Sequence, residues 1–276
     1  DIPYELLSAR DIRRRWPALA PPDDAIGVLE TEAGIVLPEL AVTTMLRRAA
    51  DLGAELRTGA PVSSWRSEGG RVVVRVATGD EATEFEAGAL VLALGARLNA
   101  LLPEPLIVAR RVPVCWFTPD DPALFAHGDY PVNFWQLPSP AGDGAASWEI
   151  YSLPITEPGG AVKVAAHNRL APCDPDTDPA DVTDAEIGPV TGFVRTHLPS
   201  LAPAPVRTER CFYATTADGE FHLGRLPSDP NVSVGAFAGH GFKFAPVIGE
   251  ILADLATGRE PRFDLSRFRP DRAVTT

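Results

Sequence analysis

The 276-residue sequence predicts an α/β chain (α+β overall), in which a domain with a parallel sheet is interrupted by a domain of antiparallel strands. Three stretches carry that prediction. In the first, Asn231-Val-Ser-Val234 reads as a buried strand, Gly235, Gly239 and Gly241 crowd its exit, and Val247, Ile248, Ile251, Leu252 and Leu255 then recur at helical spacing. Gly258 stands where a C-cap belongs, so the order is strand, glycine turn, helix. In the second, the unbroken apolar run Ala87–Ala96 reads as a central parallel strand, with Gly95 at the exit where a ligand can approach backbone. In the third, Arg111–Phe117, Val132–Leu137, Trp148–Leu153 and Ala161–His167 are aromatic-rich strand candidates separated by prolines rather than helices. The parallel-sheet domain is expected over residues 35–105 and 218–276, and the antiparallel one over 1–34 and 106–217.

The remaining elements follow in order. Ser8 suits the N-cap of a short helix with Ile12 and Trp16 on one face, ended by Pro17. Ala25–Glu32 looks like an edge strand, and Ala33-Gly34 turns the chain into Ile35-Val-Leu37. Pro38 suits a first helical turn, Leu40, Thr44, Leu46 and Ala50 form an apolar-leaning stripe, and Gly53 closes that helix. A strand is expected at Ala54–Arg57. A meander over Val62–Glu86 follows, its runs Arg71–Val76 and Ala82–Glu86 separated by Gly79-Asp80. Thr183 or Asp184 can cap a helix that ends near Leu198-Pro199, and the strand Arg210–Ala214 leads back to the first domain.

Bulk properties narrow the partners. A formal charge of −12 argues against nucleic acid or an anionic membrane as the main partner, and leaves small ligands open. No apolar run is long enough to span a bilayer and no signal-like segment opens the chain. Cys115, Cys173 and Cys211 are an odd set without metal-like spacing, so neither a disulfide framework nor a metal site is expected, and a reducing, cytoplasmic setting fits. The opening Asp-Ile-Pro-Tyr lacks a methionine and reads as mid-domain sequence, which suggests the later part of a longer polypeptide.

A few side chains could carry chemistry. Alternation puts Lys163, Ala165 and His167 on one strand face, either a solvated face or a cationic border to a pocket where Lys163 stabilises developing negative charge. Cys211 sits on an aromatic strand, where a buried structural thiol is the plain reading; Tyr213 shares its face. Tyr151 and Trp135 are candidates for a pocket wall or for ordinary core. His240 and Lys243 lie within the glycine turn, whose following helix offers backbone N–H groups to a ligand.

Ordered motifs sharpen this. Ile12-Arg-Arg-Arg-Trp-Pro17, Glu32-Ala-Gly-Ile-Val-Leu-Pro-Glu39, Val162-Lys-Val-Ala-Ala-His167, Cys211-Phe-Tyr-Ala-Thr-Thr-Ala-Asp-Gly-Glu-Phe221 and Gly239-His-Gly-Phe-Lys-Phe244 together resemble the monomeric sarcosine oxidase and N-methyltryptophan oxidase family, continuously from Asp1 to about Arg269. The resemblance implies an FAD-binding Rossmann-like domain and an inserted substrate domain. It implies FAD joined by a thioether to Cys211, and Lys163 near the flavin as promoter of the reaction with dioxygen. His167 and Tyr213 would line the substrate cavity, with Tyr151 in a similar aromatic position. Lys243 would pair with a substrate carboxylate. Gly239, His240, Gly241 and Phe242, with Gly95 at the strand exit, would lie against the cofactor. The reaction implied is oxidation of the C–N bond of a secondary amino acid to an imine, with dioxygen reduced to hydrogen peroxide.

One departure is plain: the family's opening strand with Gly-x-Gly-x-x-Gly and its acidic ribose partner have no counterpart in this sequence. The expectation is weak FAD binding by these residues alone, with the N-terminal FAD-binding segment in the same polypeptide or in a partner chain. A glycine-oxidase-like enzyme or an FAD-dependent amino-acid dehydrogenase passing electrons to a quinone is a rival. Lys163→Met separates these, because an oxidase should lose oxygen consumption. A non-catalytic subunit is the other rival, marked by a copurifying partner with the glycine motif.

Overall fold

A computed structural model describes residues 2–78, 81–138, 147–157, 160–168 and 170–272. Its elements run β1 (Tyr4–Ser8), α1 (Ala9–Arg15), β2 (Ile26–Glu30), α2 (Pro38–Asp51), β3 (Val62–Glu68), β4 (Arg71–Thr78), β5 (Glu81–Ala87) and β6 (Leu90–Leu92). There follow β7 (Val108–Phe117), β8 (Asn133–Leu137), β9 (Trp148–Leu153), β10 (Val162–Ala166), α3 (Asp184–His197), β11 (Arg207–Thr215), β12 (His222–Leu226), β13 (Asp229–Ala236) and α4 (Ala245–Ala256). The chain divides into two units, 1–35 with 111–171 and 177–211, and 36–110 with 172–176 and 212–276.

The first unit is built on a five-stranded sheet in the order β11-β7-β10-β9-β8, antiparallel at β7/β10, β10/β9 and β9/β8. Alternation decides its two faces. Cys115 and Phe117 of β7, Ile150 of β9 and Val162 and Val164 of β10 point to one side, where they pack with Val190, Phe193 and Val194 of α3. Thr183 caps α3 as expected, its hydroxyl accepting from Glu186 N–H while the Glu186 side chain accepts from Thr183 N–H. A small antiparallel pair, β1 and β2, flanks α1, where Ser8 closes a capping box with Asp11.

Arg111 is buried in this unit, and its guanidinium donates to the Asp178 and Glu186 carboxylates and to the carbonyls of Pro179 and Asp181. Five donors in a planar fork suit such a cluster. The network ties the acidic 178–181 loop and the start of α3 to β7.

In the second unit, β12, β13 and β6 form a three-stranded sheet, antiparallel at β12/β13 and parallel at β13/β6. Val232, Val234 and Ala236 of β13 meet Val72 of β4, Leu92 and Leu98 on one side. On the other, Leu223 of β12 packs with Ile248, Ile251, Leu252 and Leu255 of α4, the residues the helical spacing singles out. The meander β3-β4-β5 is present, and its predicted Gly79-Asp80 turn lies outside the described residues.

Two sequence expectations need correction. The apolar run 87–96 supplies only the three-residue β6, and among the described residues it lies at the edge of its sheet, not the centre. Gly95, at φ +56°, turns the chain straight into a 3-10 segment, Gly95–Leu101, so the run's second half is spent on the turn. Ala54–Arg57 forms no ladder and is not a strand; a strand needs a partner that its alternation cannot create. The helix α2 forms as expected from Pro38, and it buries none of its residues.

Candidate active site

On the face of the five-stranded sheet opposite α3, the first unit gathers Lys163, Tyr151 and Cys211. In β10 the register sets Lys163 beside Trp116 on one neighbour and Leu153 on the other, and Ala165 beside Tyr151. The Lys163 ammonium lies 5.7 Å from the Trp116 ring, and the same indole carries the Arg207 guanidinium at 3.8 Å. Arg207 in turn pairs with Glu209 at 3.4 Å.

The strand β11 alternates Arg207, Glu209 and Cys211 onto this side. Cys211 is exposed, and the plain reading of it as a buried structural thiol is overturned; Cys115 is the buried one. Burial raises the Cys115 thiol to about 12 and leaves it inert. For Cys211 the largest influence is partial desolvation of the sulfur, which raises its pKa; the nearby Lys163 ammonium opposes this and Glu209 adds to it. The neutral thiol is therefore favoured, and Lys163 is the group that draws it toward thiolate.

His167 follows β10 directly, its backbone N–H donating to Glu149 O at 2.8 Å. Its ring stands edge-on to Phe134 at 5.3 Å and to Tyr151 at 6.5 Å. Trp135, one residue on from Phe134, faces the other way and packs edge-on against Phe193 of α3. Of the two readings the sequence left open for Trp135, the core is the one observed.

The second unit holds the glycine turn and Tyr213. Gly239 adopts φ +82° and Ala238 φ +49°, the left-handed region that favours glycine. A Cβ on Gly239 would stand 2.9 Å from the Tyr213 ring, and one on Gly241 2.2 Å from Phe237. Glycine is thus needed here because the protein's own rings occupy the space a side chain would take. His240 N–H donates to Phe237 O at 3.0 Å, closing the turn. Phe221 meets Phe237 and Phe244 edge-on at 5.5 and 5.6 Å and lies tilted against His240 at 5.5 Å.

Desolvation holds the His240 pKa below its usual range and Lys243 depresses it further, against weaker support from Glu220 and from the hydrogen bond with the Ala238 backbone, so the imidazole is neutral at pH 7. Lys243 is exposed between Phe242 and Phe244 in a single 3-10 turn, its ammonium 5.7 Å from the Phe244 ring. The α-helix begins only at Ala245, with Pro246 in its first turn. The glycine turn therefore does not sit directly on the helix N-terminus that the sequence suggests. Gly95 is exposed, with open space where a Cβ would be.

Sequence reasoning did not single out Phe134, Trp116, Arg207 or Glu209. Counting back by two from Cys211 finds Glu209 and Arg207; Trp116 and Phe134 needed the register, because they come from other strands. No group of three or more His, Cys, Asp or Glu side chains among the described residues is placed to hold a metal ion. Among those residues, no helix is long and apolar enough to cross a membrane.

Comparison with known proteins agrees with this architecture. The monomeric sarcosine oxidase of Streptomyces avermitilis is 34% identical over 279 residues, spanning 99% of this chain and 70% of the relative. The N-methyl-L-tryptophan oxidase of Citrobacter koseri is 31% identical over 271 residues, 97% of this chain and 69% of the relative. The solved structure of NikD, described as an unusual amino acid oxidase essential for nikkomycin biosynthesis, superposes with a TM-score of 0.82 at 27% identity, covering 99% of this chain and 70% of that one. The family described as FAD dependent oxidoreductase matches residues 1–255, and the chain belongs to that family.

Proposed function

We propose that this FAD-dependent oxidoreductase oxidises the C–N bond of a secondary amino acid, N-methylated or cyclic, and uses dioxygen as its electron acceptor. The observation that carries the reading is the shared sheet face. It presents an exposed thiol at Cys211 within the electrostatic reach of the Lys163 ammonium, with Tyr151 and His167 beside that lysine's strand. A thiol that can be alkylated and a fixed cation near it are the groups a covalently held, reducible ring requires. A buried thiol such as Cys115 could serve neither purpose.

FAD, when bound, supplies acceptance of a hydride equivalent from the carbon beside the amine nitrogen and transfer of two electrons with two protons to dioxygen, giving hydrogen peroxide. The chain's own residues do the rest. Cys211 would hold the cofactor through a thioether, the Lys163 field easing its deprotonation. Lys163, Nζ positive and held beside Trp116, would stabilise negative charge as oxygen is reduced. Tyr151, His167 and Tyr213 would border the substrate, and Lys243 would pair with its carboxylate as a point charge. Gly239, His240, Gly241, Phe242 and Gly95 would approach the cofactor by backbone, and a neutral His240 adds no positive charge there. The resulting imine is hydrolysed by water.

The sarcosine oxidase and N-methyl-L-tryptophan oxidase relatives support the amine class, and they leave the size of the substituent open between their two substrates. The experiment is acid precipitation of the purified holoprotein followed by its visible spectrum, with peroxide release assayed on sarcosine and N-methyl-L-tryptophan. Flavin should stay with the pellet in the native protein and leave it in Cys211→Ser. Flavin that leaves both equally would refute the covalent role; no peroxide from either amine would refute the oxidase.

A further inference from the structure

A single exposed phenylalanine carries no meaning on a protein surface. Phe134 is different because of what surrounds it. It is 50% exposed on β8, and alternation turns it to the face of the five-stranded sheet away from α3, while its neighbour Trp135 goes to the core. The register sets Phe134 directly across from Tyr151, and Tyr151 across from Ala165. The row is therefore ring, ring, methyl; the methyl is fully buried, so the accessible surface of the row is that of its two rings. His167 closes the arrangement, edge-on to both rings at 5.3 and 6.5 Å with interplanar angles of 76° in each case. Lys163 lies two residues from Ala165 along β10, about 7 Å away along the strand.

We infer that Phe134 is a specificity-determining residue. It forms the outer ring of a Phe134–Tyr151–His167 wall that receives a flat apolar or aromatic substituent on the substrate amino acid. The inference rests on the proposed placing of Tyr151 and His167 at the substrate. Edge-to-face rings present an electropositive edge and a negative face to an incoming ring, an arrangement that favours aromatic over merely small groups. A substrate as small as an N-methyl glycine would not reach Phe134. One with an indole or phenyl group would cover ring area that is otherwise left in water.

The test separates the wall from the chemistry. Titration calorimetry on the holoprotein compares indole-3-acetate with acetate, and turnover compares N-methyl-L-tryptophan with sarcosine, in native protein, Phe134→Ala and Phe134→Leu. The expected result is at least tenfold tighter binding of the indole acid than of acetate by native protein. Phe134→Ala should remove about tenfold of that preference, close to 1.4 kcal/mol, leave acetate within about twofold, and lower kcat/KM for N-methyl-L-tryptophan alone. Phe134→Leu, which keeps apolar area, should recover part of the loss. Equal loss for both probes, or no change in indole-acid affinity, overturns the inference. Phe134-dependent binding without oxidation of either amine keeps the wall and refutes the proposed reaction. Oxidation of both amines in a ratio that Phe134→Ala leaves unchanged does the reverse.

Discussion

Gly239→Ala tests whether the glycine turn is held by the rings packed against it. Two costs add at this position. The backbone sits at φ +82°, where an L-residue loses about 1–2 kcal/mol. The new Cβ would also stand 2.9 Å from two carbons of the Tyr213 ring and 3.2 Å from its Cβ, an overlap that costs about 1–3 kcal/mol to relieve. Together these give about 3 kcal/mol, or a fall in Tm of about 6–12 °C for a chain of this size. Gly258→Ala is the control: its φ is +73° but no atom lies within 4 Å of its Cβ position, so only the backbone cost applies, about 3–6 °C. A scanning calorimeter at one pH and scan rate compares the two. In a Tyr213→Ala background the ring carbons are gone, and the Gly239→Ala penalty should shrink toward the control. If Gly239→Ala melts with Gly258→Ala, or its penalty is undiminished without the ring, Tyr213 does not fill that space.

Two further outcomes follow from buried polar groups. Arg111→Met leaves Asp178 to the more distant Arg210 and Glu186 to Thr183, orphans two loop carbonyls, and should cost about 3–5 kcal/mol; adding Asp178→Asn should recover part of it, a recovery that purely lost packing would not show. His222 is buried, with its pKa held low chiefly by desolvation and further by Arg272, against Asp218. The unfolded chain protonates this imidazole near pH 6.5 while the folded chain resists, so stability should decline as pH falls from about 6.5. His222→Asn keeps an acceptor for Arg272 and should flatten the dependence of the denaturation midpoint between pH 7.5 and 5.5; superimposable profiles would refute the assignment.

What the sequence made legible was local. The caps at Ser8 and Thr183, the α4 core residues and the antiparallel runs are set by neighbours within a few positions, and the structure places them as the spacing says. The failures share a cause. Ala54–Arg57 has strand-like composition and no ladder partner, and Ala87–Ala96 has core-strand composition but turns at Gly95 after three paired residues. Neither fact is written in the segment itself, because a strand exists only against another strand.

The same distinction governs the site. Lys163 stands out in sequence as a charge between valines and Cys211 as a thiol beside aromatic residues, yet nothing local tells whether the thiol is inside or out. Two cysteines on adjacent strands meet opposite fates. Cys115 falls on the parity of β7 that faces α3, and Cys211 on the parity of β11 that shares the side of Arg207 and Lys163. A one-residue slip of β11 would exchange Cys211 with its neighbours and turn the thiol to the side where Arg210 meets Asp178. Arg210, one residue before, resists that slip: its guanidinium donates to the Asp178 carbonyl and lies 3.6 Å from the carboxylate that Arg111 also holds. The exposure of Cys211 is thus fixed by a buried ion network on the other side of its strand. That connection can be read only once register and burial are both known.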